Sequence, residues 1–196
     1  MRTKYDRALN RLLLKPAFTV KEAMGLGVPR HALAYYEQIG LLKKLGKGIY
    51  SCAESISHIE PQLEELARVA LSIPESVICL ISALSYYGLT DEIPRECWIA
   101  LPHAKRAPKR PHTRIIRMRT ISIGVTKVEI GGLELSIFNR ERCVIDAFRY
   151  LSLEIAIKAL KSYLHEKKIK PDLRKLKDYS KKLRVNISPY VLSLLE

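Results

Sequence analysis

The sequence predicts an α+β protein of two parts: three short helices with a β-hairpin, then a mixed α/β domain with a small, largely antiparallel sheet and C-terminal helices. Three observations lead to this prediction. Apolar residues recur at helical spacing through the first forty residues, alternating apolar residues flank Gly131-Gly132, and helical spacing returns after Asn139. With 196 residues and 47% hydrophobic content, the chain can form two cores. We expect a first domain over residues 1–55 and a second over residues 56–196.

The first two helices have clear start and stop signals. Apolar residues at positions 5, 8, 9, 12 and 13 predict a helix over Tyr5–Leu14, and Pro16 ends it. Thr19 can cap a second, short helix while Glu22 reaches back to the cap, which is the capping-box pattern. This helix should end near the glycines of MGLGV.

The third helix completes a helix-turn-helix pattern. Pro29 fits its first turn, and Gly40 fits the left-handed position after its end. Leu33, Tyr36 and either residue 39 or residue 40 share one side and should face the core. A recognition helix reads DNA bases from its opposite side, mainly through residues near its N-terminus. The residues predicted on that side are Arg30, His31, Ala34, Tyr35 and Gln38.

The stretch LLKKLGKGIYS after this helix predicts a β-hairpin wing. Short strands at Leu41-Leu42 and Ile49-Tyr50 would flank a loop over residues 43–48, whose glycines permit the turn. The lysines of the loop would meet DNA phosphates beside the groove. These lysines are Lys43, Lys44 and Lys47. A solvated basic hairpin and a winged helix that binds protein are the open alternatives.

The remaining chain predicts further helices and strands in a mixed order. A helix should follow Pro61, and a strand should cover ECWIALP at residues 96–102. The stretch VEIGGLELSIF predicts a hairpin with its turn at Gly131-Gly132. Asn139 can cap a helix over NRERCVIDAFRYL, and two or three more helices should follow, over residues 153–165, about 171–183, and 187–195.

One row of charges on the helix after Asn139 invites two interpretations. Arg142, Asp146 and Arg149 are spaced i, i+4, i+7, on the side roughly opposite the apolar residues. The first interpretation is an intrahelical ion-pair ladder. The second is a set of functional residues on that side.

Charge is concentrated in blocks along the chain, although the net charge is +14. Residues 1–50 carry ten Lys and Arg against three acidic residues, and residues 97–128 carry eight against none. Basic blocks separated by acidic ones favour nucleic acid as the partner. The proline-rich stretch PHAKRAPKRP and the residues after it predict a second basic surface. It would consist of Lys105, Arg106, Lys109, Arg110, Arg114 and Arg117. A mobile solvated loop and a partner-docking site are the alternatives.

Several functional classes find no support in the sequence. No apolar run is long enough for a membrane span, and the charged N-terminus is unlike a signal peptide, so we expect a cytoplasmic protein without membrane association. The four cysteines lie far apart and predict buried reduced thiols. We find no metal-ligand spacing, no phosphate-cradling glycine loop and no nucleophile motif, and therefore expect no metal, no cofactor and no catalytic residue.

Two alternatives to DNA binding stay open at this point. An enzyme related to nucleotidyltransferases or nucleases would need clustered carboxylates for Mg²⁺. The densest acidic set is Asp91, Glu92 and Glu96, whose spacing around Pro94 suits a turn better. An RNA-binding or protein-binding module would expose aromatic side chains on strands, and ten tyrosines leave this possible.

Taken together, these segments resemble the AbiEi-type antitoxins of type IV, abortive-infection toxin–antitoxin systems. The resemblance rests on IGLLKKLGKGIYS, PESVICLISALSYYGLTDEIP, WIALP and IGGLELSIFNRERCVIDAFRY, in this order along most of the chain. The stretches SAL-x-x-x-GLTD-x-x-P and N-R-E-R-x-x-x-D are moderately specific, whereas a winged helix is common to many regulators.

The resemblance implies a protein with two activities. The N-terminal domain would bind inverted repeats in its own promoter as a repressor, one monomer on each repeat or as a dimer. The C-terminal domain would counter a nucleotidyltransferase-like toxin without needing a stable complex, and it can add DNA contacts. Arg142 and Asp146 are candidates for the antitoxin role. A regulator without a toxin partner would have the same sequence features.

Overall fold

The computed structural model describes residues 5–52, 59–166 and 169–195. Its contacts divide the chain into two compact units. Unit 1 comprises Met1–Pro74 with Val128–Leu135, and unit 2 comprises Glu75–Lys127 with Ser136–Glu196. The predicted domain boundary, between residues 55 and 56, lies outside the described residues. Among the described helices, none is long and apolar enough to cross a bilayer.

The described elements alternate between helices and strands. The helices are α1 (Asp6–Leu13), α2 (Val20–Gly25), α3 (Arg30–Gln38), α4 (Pro61–Ser72), α5 (Leu80–Tyr86), α6 (Arg140–Tyr150), α7 (Leu153–Leu164), α8 (Leu173–Leu183) and α9 (Ser188–Leu195). The strands are β1 (Phe18–Thr19), β2 (Leu42–Gly46), β3 (Ile49–Cys52), β4 (Val77–Ile78), β5 (Cys97–Pro102), β6 (Thr113–Met118), β7 (Val125–Ile130) and β8 (Leu133–Phe138). The predicted helices of both parts are therefore confirmed, with small shifts at their ends.

Unit 1 encloses its own apolar core beneath the first three helices. The core residues are Leu9, Leu12, Leu13, Phe18, Ala23, Val28, Ala32, Leu33, Tyr36, Leu42, Tyr50 and Cys52. Phe18 and Tyr50 stack with ring centroids 6.2 Å apart. Because α1 to α3 and the strands all contribute, the core fixes the wing to the helices.

The wing is a three-stranded antiparallel sheet in the order β1-β3-β2. Strand β1 is not predicted from the sequence, and it pairs Phe18 with Tyr50 and Thr19 with Ile49. Strand β2 is longer than expected: Lys43 and Lys44 pair with Ser51 and Tyr50 within the ladder, and a bulge follows. The loop predicted over residues 43–48 is therefore wrong, because the turn contains only Lys47 and Gly48 between β2 and β3.

Unit 2 contains most of a five-stranded mixed sheet in the order β6-β5-β4-β8-β7. Strand β5 runs parallel to β6 and antiparallel to β4, while β4 runs parallel to β8. The predicted, largely antiparallel sheet is thus only partly right. Strand β6 was not expected, since its arginines obscure the alternation of apolar residues.

The hairpin of β7 and β8 turns at Gly131-Gly132, as predicted. Gly131 has a φ of +59°, and a Cβ there would lie 2.6 Å from Cγ of Pro16. A larger residue would therefore clash as well as strain the backbone. This part of the hairpin belongs to unit 1.

Helix α6 carries a buried ion-pair network. As predicted, Asn139 caps the helix, and its Oδ1 accepts the Arg142 N–H at 3.0 Å. Arg142 Nε donates to Asp146 at 2.7 Å, and Arg149 donates to the other oxygen of Asp146 at 2.9 Å. The predicted ladder is confirmed, but Arg142 and Asp146 are both 0% exposed.

The guanidinium of Arg142 also holds the chain segment between β6 and β7. Its Nη1 donates to the carbonyl oxygens of Thr120 at 2.9 Å and Ile123 at 2.7 Å, and the group lies 4.3 Å from the Phe138 ring centroid. Gly124 allows this approach, because a Cβ there would lie 2.7 Å from Arg142 Cβ. Arginine suits the position because its planar group offers five donors.

The four cysteines are free and buried, as predicted. Burial raises the pKa of the Cys79 and Cys143 thiols, with the nearby Asp146 carboxylate adding to the rise. A raised pKa lowers the fraction of thiolate, so these two cysteines are packing residues.

We expect Arg142→Met to lower the free energy of unfolding of unit 2 by about 3–5 kcal/mol, because it leaves one oxygen of the buried Asp146 carboxylate and two carbonyl oxygens without their donor. Burial already raises the pKa of Asp146 against the pull of both arginines. Losing Arg142 raises it further, so the variant should lose more stability as the pH rises through the folded-state pKa. Urea melts followed by the fluorescence of Trp98, the one tryptophan, measure this.

The matched control is Arg149→Met, whose side chain is 27% exposed and donates only at the outer side of Asp146. Arg149→Met should lower the free energy of unfolding of unit 2 by about 1 kcal/mol or less. Equal losses for the two variants would contradict a structural role special to Arg142.

Candidate nucleic-acid interface

The start of α2 is fixed by a reciprocal cap. The Glu22 N–H donates to Thr19 Oγ1 at 3.1 Å, while the Glu22 carboxylate accepts the Thr19 N–H at 2.7 Å and the Thr19 hydroxyl at 2.9 Å. Lys15 Nζ lies 3.1 Å from the same carboxylate. This confirms the capping box predicted from TVKE. Burial pushes the pKa of Glu22 up, but these partners outweigh it, and the pKa lies below its usual value.

The turn between α2 and α3 is locked by small buried residues. The Val28 N–H donates to the Ala23 carbonyl at 2.9 Å, and both side chains are fully buried. Gly27 supplies the positive φ, +84°, that the turn requires. The direction of α3 therefore follows from the end of α2.

Helix α3 presents one polar face to solvent. Ala32, Leu33 and Tyr36 are buried beneath it. All five residues predicted on the opposite side are exposed: Arg30, His31, Ala34, Tyr35 and Gln38. The prediction that residue 39 or 40 completes the core side is wrong, because Ile39 is 55% exposed and Gly40 is also exposed. Ala32 takes the place expected for them.

Tyr35 is exposed, and its ring contacts the core. Its ring packs edge-to-face on Tyr36, with centroids 5.7 Å apart, and Tyr36 is part of the core. An exposed ring that is already oriented loses little entropy when a ligand contacts it.

The three wing lysines are exposed, but they do not share one face. Lys44 pairs with the core residue Tyr50, whereas Lys43 pairs with the buried Ser51. Neighbouring strand residues point to opposite faces. Lys44 therefore lies on the face that packs on α1 to α3, and Lys43 lies on the opposite face. Helix α4 packs against β2 and β3. Lys47 occupies the turn itself.

The tip of the wing is fastened to the start of α2. The Val20 N–H donates to the Gly48 carbonyl at 2.9 Å. Lys21, which follows Val20 in the first turn of α2, is exposed. Lys21 is not among the residues predicted from the sequence to contact DNA, although the capping box places it at the second position of α2. In helix-turn-helix proteins the first helix of the pair crosses the DNA backbone, which suits a lysine here.

The six residues predicted to form a second basic surface are distributed differently. Arg114 and Arg117 are exposed on β6, but their spacing of three places them on opposite faces of the sheet. The Arg114 guanidinium stacks 4.5 Å from the Trp98 ring centroid, and Lys105 pairs with Glu75 at 2.6 Å. Arg106 and Lys109 are exposed in the loop, and Arg110 is half-buried.

The acidic residues considered for an enzyme do not form a metal site. Glu92 and Glu96 line an open groove in unit 2 together with Trp98 and Arg114. Within the described ranges, no three His, Cys, Asp or Glu side chains are placed to hold one metal ion.

The residues of the helix-turn-helix and its wing match the model of a known family. Residues 6–51 match the family model described as a transcriptional regulator, AbiEi antitoxin. The N-terminal region carries an AbiEi antitoxin regulator domain. The match covers α1, α2, α3, β1, β2 and most of β3. For the chain beyond residue 51, the resemblance to AbiEi proteins stays a prediction. No protein with a curated description matches the chain.

Because the capping box fixes α2, we expect Thr19→Ala to lower the free energy of unfolding of the AbiEi domain by about 1 kcal/mol. The contribution of the capping box to the free energy of unfolding should also depend on pH. The folded-state pKa of Glu22 is depressed below 4.5, so the stabilisation is present above that pH and is lost as the pH falls through the folded-state value. Thermal melts of the full chain at pH 7 and pH 3.5 measure both effects.

The control is Thr113→Ala in unit 2, whose hydroxyl only donates to a nearby loop carbonyl. It should leave the melting of the AbiEi domain unchanged. A Thr19→Ala loss that is the same at both pH values would contradict the Glu22 contribution.

Proposed function

We propose that the protein is a DNA-binding autorepressor and the antitoxin of a type IV toxin–antitoxin system. Its AbiEi domain binds inverted repeats in its own promoter, one monomer on each repeat or as a dimer. The second domain, from about residue 56 onward, neutralises a nucleotidyltransferase-like toxin in the cytoplasm. A regulator without a toxin partner is the alternative for the second part.

The observation that carries the DNA-binding proposal is the exposed face of α3. Arg30, His31 and Gln38 are hydrogen-bonding side chains on a short helix whose other side is buried in the core. Arginine and glutamine are the side chains that form bidentate contacts with guanine and adenine edges. Ala34, between them, leaves room for close approach to a groove. The regulator description of the matched family supports the same conclusion.

The wing supports the proposal through phosphate contacts. A duplex seated on the exposed side of α3 would meet the wing on the face that packs on the helices and at its tip. Lys44 and Lys47 occupy these positions, and Lys21 lies next to the tip. Lys43 lies on the other face of β2, so we assign it no phosphate contact. Contacts of this kind set affinity and its salt dependence without reading sequence.

We expect the protein to bind its upstream DNA more tightly than a scrambled duplex, with an affinity that falls as salt rises. Arg30→Ala should weaken the free energy of operator binding by about 1–3 kcal/mol and reduce the preference for the operator over the scrambled duplex. Lys44→Ala and Lys47→Ala should weaken binding to both duplexes, each lowering the salt slope by about 1. Fluorescence anisotropy at several salt concentrations measures both quantities.

Lys43→Ala is the matched control, because it removes the same charge from the neighbouring position on the other face of the strand. Its salt slope should equal that of the unaltered protein. If Lys43→Ala and Lys44→Ala act alike, or if the operator and the scrambled duplex bind equally, the proposed reading geometry is overturned.

The antitoxin proposal rests on the sequence resemblance of the second part of the chain. Arg142 and Asp146 are fully buried, so they would support antitoxin activity by holding the fold and not by touching a partner. The exposed basic residues Arg106, Lys109 and Arg117 are available for a partner or for additional DNA contacts.

The antitoxin test is co-expression with the protein encoded beside this one. If that neighbour is a nucleotidyltransferase-like toxin, we expect the full chain to restore growth. The double variant Arg30→Ala/Lys47→Ala should also restore growth when expressed from a foreign promoter, because the two activities belong to different parts of the chain. Failure of the unaltered protein to protect would favour a regulator without a toxin partner.

A further inference from the structure

A basic notch lies between α8 and α9 in unit 2. It has a volume of about 340 Å³. Its lining residues are Lys177, Ser180, Lys181, Arg184, Val185, Asn186 and Ser188, and we call this set the α8–α9 notch. Lys177, Lys181 and Arg184 follow the spacing i, i+4, i+7, so they form one stripe along α8 and its C-cap. No acidic residue is among the lining residues.

The cations of the notch differ from the other lysines of the same helix. Lys175 pairs with Glu141 at 3.1 Å, and Lys182 pairs with Asp178 at 2.7 Å. Within the described part of the chain, Lys177, Lys181 and Arg184 have no carboxylate within 4 Å. Three positive charges thus meet in one concavity without a counter-ion among the described residues, which favours binding of a compact anion.

Arg184 occupies a backbone conformation that favours glycine. It ends α8 in the left-handed region, with φ +57° and ψ +46°. Glycine is the usual residue at the left-handed end of a helix, and asparagine is the next, because a Cβ strains the backbone there. An arginine at this position costs stability that glycine would restore. Such strain is typical of residues whose side chain has a task of its own.

The start of α9 adds little to the notch. The Ser188 N–H already donates to Asn186 Oδ1 at 3.2 Å, and Pro189 has no N–H. The binding capacity of the notch therefore comes from its three basic side chains, with the Ser180 and Ser188 hydroxyls as further donors.

We propose that the α8–α9 notch binds the phosphate group of a nucleotide, either free or within a nucleic-acid backbone. Phosphate carries charge and several acceptor oxygens, and it matches a site of one guanidinium, two ammonium groups and hydroxyl donors. This site lies wholly in unit 2, and its existence does not depend on DNA reading by α3.

The test uses the full chain with Arg30→Ala and Lys47→Ala, so that binding at α3 and the wing does not mask the notch. Two probes separate the sources of phosphate: ATP without metal, and a random-sequence DNA duplex. The readout is the shift of the Val185 and Asn186 amide signals in proton–nitrogen spectra during titration. Melting temperatures are recorded for every variant.

Four variants of this background decide the role of the notch. We expect Arg184→Gly and Arg184→Asn to weaken binding of the responding probe about tenfold, with a melting temperature equal to or above that of the background. Arg184→Lys should keep most of the affinity, because it keeps the charge. Lys182→Ala removes a paired lysine outside the notch, and its affinity for the probe should stay within about twofold of that of the background.

The outcomes separate the possibilities. A response to ATP alone identifies a nucleotide site, and a response to the duplex identifies a backbone-phosphate site. The proposal is overturned if neither probe shifts the two amides at millimolar concentration. It is also overturned if Arg184→Gly binds normally, or if Lys182→Ala weakens binding as much as Arg184→Gly does, since the attraction would then be diffuse charge. Loss of operator binding by the α3 variants would not bear on any of these results.

Discussion

The reciprocal cap between Thr19 and Glu22 is the constraint on which the candidate interface depends. It fixes where α2 begins, and the Val20 N–H, one residue on, holds the wing through Gly48. The end of α2 then sets the buried contact of Ala23 and Val28 that directs α3. A few local hydrogen bonds thereby position both the predicted reading helix and the predicted phosphate contacts. Pre-organisation of this kind favours binding, because less order has to be created when DNA arrives.

Unit 2 uses charge in two opposite ways. Arg142 is fully buried, and its donors satisfy Asp146 and the carbonyl oxygens of Thr120 and Ile123, so its charge serves the fold. Lys177, Lys181 and Arg184 lie at the surface and have no acidic partner among the described residues. Buried charges require partners, whereas exposed ones tolerate their absence. The availability of a cation for a ligand therefore depends on its surroundings rather than on its position in a basic block.

Local signals in the sequence were sufficient for the helices and their caps. Thr19, Glu22 and Asn139 act through residues three positions away, so the prediction needs no tertiary information. Strand β6 is not predicted, because its arginines hide the alternation of apolar residues. The length of β2 is not predicted, because two lysines in a row resemble a loop. The burial of Arg142 could not be predicted, since i, i+4 spacing is the same for an exposed and a buried pair. The strain at Arg184 is likewise invisible until the backbone angles are known.

Unit 1 is formed by two separate segments of the chain, which has a consequence for how such proteins can evolve. Its compact body includes Val128–Leu135, and Gly131 lies against Pro16 so closely that no side chain fits between them. The regulator domain matched over residues 6–51 is therefore completed by a hairpin tip encoded far downstream. Recombination that joined this N-terminal region to an unrelated partner would leave Pro16 without its neighbour. The two parts of the gene are expected to have been inherited together, with changes at residue 16 matched by changes at the hairpin.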